Sequence, residues 1–253
     1  MLSRRVVVCL DVLAGRVVKG VAFQSLRDSG DPVELAAAYE RAGADEIVFL
    51  DIGASPEQRG TMLDVARKAA EQIFIPLTIG GGIRSADDVA ATLRAGADKV
   101  GINSAAVQRP ALLTEAAERF GSQCVVISID AKRDGDGWRV YTNGGRTPAN
   151  LDAVEWAVEA VRCGAGEILL TSIDRDGTQS GYDMELTRRV VDSVPVPVIA
   201  SGGAGSPADV AQVIAEAGAD AALVAGILHD GLTTVGALKL AIAAAGFPVR
   251  VAA

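Results

Sequence analysis

Short runs of β-branched and aliphatic residues alternate along this chain with longer Ala-rich stretches whose apolar positions recur at helical spacing. The runs cover 5–11, 46–51, 76–80, 99–103, 124–130, 167–171, 197–201 and 221–225. Strand-like runs separated by helices of about 10 to 15 residues are the pattern of parallel βαβ units. Eight of them in 253 residues predict a closed (β/α)8 TIM barrel, with an open doubly wound sheet as the alternative.

A long-period repeat favours closure. At an offset of 121 residues, GADEIVFLDIGASPEQRG (43–60) faces GAGEILLTSIDRDGTQSG (164–181), and IPLTIGGGIRSADDVA (75–90) faces VPVIASGGAGSPADVA (196–211). After one extra residue in the second half, GADKVGINS (96–104) faces GADAALVAG (218–226). Self-similarity of this period means two copies of a four-strand unit rather than a short solenoid repeat. Half a barrel leaves open sheet edges, so the halves, about 1–121 and 122–253, are expected to close on each other as a single domain. Features present in both halves then meet across one mouth. The longest stretches without regular pattern, 13–31 and 134–147, follow the first and fifth runs, at the strand ends where such barrels carry their chemistry. They read as irregular loops, either covering lids or ordinary surface excursions, the second with room for a hairpin around 135–140.

Composition narrows the function classes. With 49% hydrophobic and 22% charged residues the chain can bury a sizeable core, which excludes disorder. Its 24 Lys and Arg against 32 Asp and Glu leave a net charge of −8, which argues against a nucleic-acid backbone binder, so any phosphate must be held locally. Cys9, Cys124 and Cys163 have no paired spacing and suit reduced thiols in the cytoplasm. The first apolar run is too short for a signal peptide or a membrane span. A single histidine, His229, with no partner suggested by sequence beyond the adjacent Asp230, argues against a histidine-built metal site. Cys9 and Cys124 read as packing residues within strands.

Two glycine-rich turns, at 80–82 and at Ser201, Gly202 and Gly203, each follow a strand and precede a helix beginning near Ser85 or Ser206. Glycine lets backbone approach a ligand, and helix N-termini attract anions. Each turn is followed by another strand end with small residues, Asn103 and Ser104 in one half, Ala225 and Gly226 in the other. Two such arrangements suit a long substrate phosphorylated at both ends; the competing explanation is tight-turn chemistry alone. Asp11 and Asp130 end corresponding runs, in phase with Arg5, Val7 and Cys9 and with Cys124, Val126 and Ser128. If those faces line the lumen, two carboxylates project from opposite walls, the geometry of a general acid and a general base, although a lone Asp at a strand end more often caps a helix. Asp176 and Gly177, with Thr171 in phase with Glu167, offer amides to phosphate and a carboxylate to hydroxyls, or form an Asx turn. Lys19 is the only lysine in the first long loop, either a phosphate-neutralising residue or a solvated one. At the opposite strand ends, Arg5, Glu46, Lys99 and Glu167 are expected to form a salt-bridged ring, either a stability device or a polar gate.

The stretches CLDVLAGRVVKG, LRDSGDPVE, GGGIRS, GADKVGINSAAV, IDAKR, GAGEILLTSIDRDGT and IASGGAG together resemble the cyclase (synthase) subunits of imidazole glycerol phosphate synthase, over essentially the whole chain. The resemblance implies a lyase-type cyclase of histidine biosynthesis. Its substrates are ammonia and a doubly phosphorylated ribulosyl-formimino aminoimidazole carboxamide nucleotide; its products are imidazole glycerol phosphate and the aminoimidazole carboxamide ribonucleotide. It carries the acid-base pair onto Asp11 and Asp130, the loop lysine onto Lys19, one phosphate end onto Gly82, Asn103 and Ser104, and the other onto Gly177, Gly203 and the turn after the eighth run. Arg5, Glu46, Lys99 and Glu167 become a gate for ammonia, with no metal or redox cofactor. Since the lone His229 cannot supply a glutaminase's Cys-His-Glu set, the resemblance implies a separate glutaminase docking on the N-terminal barrel face. Gly226, Gly53 and Ala22 depart from the family's usual polar residues at those positions. The alternatives are the sister isomerase of the same pathway and a catalytically silent phosphosugar-binding protein.

Overall fold

The computed structural model describes residues 2–21, 24–53 and 56–250, with the side chains at 19–27 and 54–61 outside that description. Its first part contains β1 (Arg5–Leu13), β2 (Arg16–Val21), β3 (Gln24–Gly30), α1 (Pro32–Arg41), β4 (Glu46–Asp51), α2 (Pro56–Ala70), β5 (Leu77–Gly80), α3 (Ala86–Arg94), β6 (Lys99–Ile102), α4 (Ser104–Gln108) and α5 (Ala111–Phe120). After a 3-10 turn at Ser122–Cys124 come β7 (Val125–Asp134), β8 (Gly137–Thr142), β9 (Thr147–Asp152), α6 (Ala153–Arg162), β10 (Glu167–Ser172) and α7 (Met184–Ser193). The chain finishes with β11 (Val198–Ser201), α8 (Pro207–Ala215), β12 (Ala221–Val224), α9 (Gly226–His229) and α10 (Val235–Ala244). Strands β1, β4, β5, β6, β7, β10, β11 and β12 pair in parallel in that order, and β12 returns to β1 with Arg5 opposite Ala221. The sheet is therefore a closed (β/α)8 barrel, as the periodicity predicts.

Three of the strand starts are pinned by one recurrent device. Asp45, Asp98 and Asp220, each closing a Gly-Ala-Asp triplet, accept the backbone N–H of Val6, Leu77 and Val198 at 2.8, 2.8 and 3.1 Å. Each also donates its own N–H to the carbonyl of that same residue, at 3.0, 2.9 and 3.0 Å. The ladder between neighbouring strands thus begins with a charge-assisted bond, worth about 1.5–3 kcal/mol. Before β10 the triplet ends in Gly166 instead, because a Cβ there would lie 2.2 Å from the Ser122 carbonyl. Helix starts repeat in the same way: Asp31 and Asp152 cap α1 and α6, while Ser85 and Ser206 cap α3 and α8. Each such cap contributes about 1 kcal/mol.

Two expectations are corrected. The first stretch read as an irregular loop is a β-hairpin, and the second contains the hairpin for which the sequence left room around 135–140: β1 and β7 run past the barrel rim and fold back, leaving two-residue turns between Leu13 and Arg16 and between Asp134 and Gly137. Ala14 and Gly15 take left-handed conformations (φ 49° and 80°), as tight hairpin turns require, and β2 and β8 carry the β-branched residues that pair back. Cys124 lies in the 3-10 turn, not in β7, and its side chain packs among the helices outside the barrel, because the strand begins one residue later. The expected phase otherwise holds. Val7, Cys9, Val126 and Leu169 form the lumen core together with Val48 and Ile199.

Candidate functional site

Asp11 and Asp130 occupy opposite walls at the C-terminal rim, with three barrel strands between β1 and β7 in either direction. Burial, with the Asp176 charge added, pushes the Asp11 carboxyl up to about 6. Asp130 is also pushed up to about 6 by burial, against a 2.9 Å hydrogen bond from Asn103 Nδ2 that favours its charged form, and again with Asp176 adding. Burial raises Asp176 itself, opposed by the Gly177 N–H. The sequence-predicted pair and the Asp176 turn are thus one electrostatic unit, in which a first proton removed makes the next harder to remove. Near neutrality such a set can hold one carboxyl protonated beside an ionised one. Cys9 is fully enclosed, and burial with the charges of Asp11 and Asp176 raises its thiol well up, which leaves it unreactive.

The wall around Asp130 continues as a row of polar side chains, since Thr171 of β10 sits in register with both Asp130 and Ser201. Behind that row the glycine turns meet real steric demands. Gly81 (φ +93°) would place a Cβ 2.3 Å from the Asp51 carbonyl, and Gly202 (φ +88°) would place one 2.7 Å from the Ser172 carbonyl. Gly203 (φ +108°) would meet the Gly181 carbonyl at 2.2 Å. Tight packing therefore accounts for glycine at 81, 202 and 203 whether or not an anion binds. The short helices beside these turns share one start geometry. Asn103 and Ala225 precede α4 and α9 with closely matching backbone angles (φ −126° and −132°, ψ −95° and −79°), and no side chain caps either helix. Their first N–H groups have no side-chain cap and so are available to an anion. Ser104 Oγ accepts the Asn143 N–H at 2.9 Å, which leaves its own proton to donate. A Cβ on Gly226 would meet nothing within 4 Å, so that cradle is open. The Lys19 side chain, Ala22 and Phe23 lie outside the described residues.

At the other end of the lumen the expected ring closes completely. Arg5 reaches Glu46 at 3.0 Å and Glu167 at 2.6 Å, while Lys99 reaches the same two carboxylates at 2.9 and 2.7 Å. Thr78 Oγ1 adds a 2.7 Å bond to Glu46. Burial alone would lower the Arg5 pKa, but Glu167 and Glu46 outweigh it and raise it. Every charge in the ring is therefore matched, as a partly buried cluster requires.

The sequence did not reveal one link. His229 Nδ1 lies 2.6 Å from the Tyr39 hydroxyl and Nε2 lies 3.0 Å from the Cys9 carbonyl, which ties the end of α9 to α1 and β1. Tyr39 and His229 are 190 residues apart, and no local pattern signals such a contact. Among the described residues, no group of three His, Cys, Asp or Glu could hold a metal ion, and no helix is long and apolar enough to cross a membrane.

A family model for histidine biosynthesis proteins matches residues 5–234. The imidazole glycerol phosphate synthase subunit HisF of Myxococcus xanthus is 68% identical over 250 residues, covering 99% of each chain. The subunit of the same name from Dehalococcoides mccartyi strain 195 is 57% identical over 250 residues, again with 99% coverage of both. A closed barrel with paired rim carboxylates, matched end to end by these relatives, places the chain in the histidine biosynthesis protein family.

Proposed function

We propose that this chain is the cyclase subunit of an imidazole glycerol phosphate synthase. It joins ammonia to the doubly phosphorylated ribulosyl-formimino aminoimidazole carboxamide nucleotide and releases imidazole glycerol phosphate, the aminoimidazole carboxamide ribonucleotide and water. The observation that carries this reading is the pair Asp11 and Asp130, half-buried on facing walls and both raised to about 6. Ammonia attacks the ribulosyl carbonyl carbon. Asp11 takes a proton from the incoming nitrogen, and a protonated carboxyl delivers one to the carbonyl oxygen, which leaves as water. The new nitrogen then closes onto the formimino carbon, and Asp130 protonates the departing amine of the carboxamide nucleotide.

The two ends of the substrate span the mouth. Gly82, Asn103 and Ser104, with Lys19 from β2, hold one phosphate; Gly177, Gly203, Ala225 and Gly226, beside Ser201 and Gly202, hold the other. Asp176 and Thr171 meet the hydroxyls between them. Two half-barrels, about 1–121 and 122–253, supply one phosphate site each within a single domain. The recurrence of the caps at Asp31 and Asp152 and at Ser85 and Ser206 supports that duplication.

Ammonia enters from below through the ring of Arg5, Glu46, Lys99 and Glu167, supplied by a separate glutaminase seated on the N-terminal face. Two observations support that face as a docking surface: Leu2 and Phe74 are 89% and 88% exposed there, and a groove of about 260 Å3 beside Phe74 is lined by Ile73, Pro76, Leu77 and Asp98. Three free thiols suit a reducing cytoplasm.

The test supplies the purified chain with the ribulosyl nucleotide and an ammonium salt, without glutaminase, and follows loss of substrate absorbance. Turnover is expected. Failure of intact protein to react, with turnover of the sister isomerase's substrate in its place, would reassign the function.

A further inference from the structure

The hairpin of β8 and β9 is fastened to the connection between β10 and α7 by contacts the barrel itself does not need. Trp138, 1% exposed, donates its indole N–H to Asp183 Oδ2 at 3.0 Å. The same carboxylate caps α7 through the Leu186 N–H (3.0 Å) and accepts the Ser172 hydroxyl (3.3 Å) from the last residue of β10. Arg133, whose guanidinium lies 4.4 Å from the centre of the Trp138 ring, donates its backbone N–H to Asp174 at 2.7 Å. Asp174 and Asp183 bracket the turn that carries Asp176 and Gly177. On its other side the hairpin sends the Asn143 N–H to Ser104. A hairpin bonded on both flanks joins the two rims where the phosphates are expected.

We propose that Trp138 is a positioning residue, which holds the turn carrying Asp176 and Gly177 at a fixed span from Ser104 and so sets the distance between the two phosphate sites. The inference rests on the cyclase reading above and names a residue that reading does not use. The indole N–H is the operative group: Asp183 accepts from an indole, a hydroxyl and a backbone N–H, and a carboxylate with three fixed donors has little freedom to move. Phenylalanine at 138 keeps a flat ring beside Arg133, removes that donor and gives up part of the buried indole volume, a packing loss that Asp174→Ala does not share.

Trp138→Phe is the test, with two readouts. Amide exchange at Asp176, Gly177 and Thr178 in the ligand-free protein is expected to accelerate about tenfold relative to the amides of β4. With saturating ammonium, KM for the ribulosyl nucleotide is expected to rise about fivefold while kcat stays within about twofold. Asp174→Ala, which frees the Arg133 N–H at the surface, should raise KM in the same way and serves if Trp138→Phe does not fold. Arg189→Met removes the other guanidinium over the ring, 5.2 Å from its centre, without touching Asp183, and should leave KM unchanged. Faster exchange with unaltered KM, or unaltered exchange, overturns the proposal, as does an equal KM rise in Arg189→Met. If the unmutated protein does not turn over the nucleotide, the cyclase reading fails, and the exchange comparison still decides whether Trp138 braces the turn.

Discussion

Asn103 donates its side-chain amide to Asp130 at 2.9 Å across the neighbouring ends of β6 and β7, and its own Oδ1 is buried with no partner among the described residues. The bond favours the ionised carboxylate, while burial works against it more strongly. Asn103 thus holds Asp130 in place and limits how far its pKa can climb.

Asn103→Ala should therefore raise the Asp130 pKa beyond about 6. Because Asp130 acts as the acid toward the departing amine, the basic limb of kcat/KM moves to higher pH by up to about one unit. A pH–rate profile with an unmoved basic limb would return Asn103 to a phosphate contact alone.

Asp11→Asn and Asp130→Asn should each lower kcat at least about 100-fold with substrate binding nearly intact. Stability should move the other way. Both carboxyls titrate near 6 in the folded chain against 3.8 as reference, so the folded state holds the extra proton and loses stability as pH rises from about 4 through about 6. Neutral asparagine removes that penalty, so each variant should gain about 1–3 kcal/mol at pH 8 and little at pH 4. Denaturant titrations at the two pH values check the sign; a loss at pH 8 would contradict it.

Lys99→Ala leaves Glu46 and Glu167 sharing Arg5 alone, and should cost roughly 3 kcal/mol of folding stability. If the ring gates ammonia, glutamine-driven turnover with the glutaminase bound should change more than turnover on free ammonium. Equal changes would leave the ring a purely structural closure of the barrel floor.

Gly81→Ala and Gly226→Ser should differ sharply. The first forces a Cβ to within 2.3 Å of the Asp51 carbonyl at φ +93°, which should cost about 2 kcal/mol or more. The second enters open space and adds a hydroxyl at the start of α9, so substrate KM should fall about twofold to fivefold with thermal stability unchanged. A KM that does not move would place the phosphate away from α9.

Much of this architecture is written in short-range pattern. Alternation along 5–11 points Asp11 inward with Val7 and Cys9, and the seryl caps at Ser85 and Ser206 mark helix starts, because side-chain direction and capping need only neighbours in the chain. The hairpins carried a signal too, two-residue turns between strand-like stretches, legible around 135–140 and obscured in 13–31 by the length of the segment. Repetition at 121 residues foretold which ends would face each other. Closure of the barrel decided the rest. The bonds from Asn103 to Asp130, Trp138 to Asp183 and Tyr39 to His229 join residues 27, 45 and 190 apart. None has a local spacing rule, since each depends on which strand lies alongside, at what stagger, once the ring is complete. Raised carboxyl pKa values belong to the same class: burial and the field of Asp176 exist only when the rim is assembled.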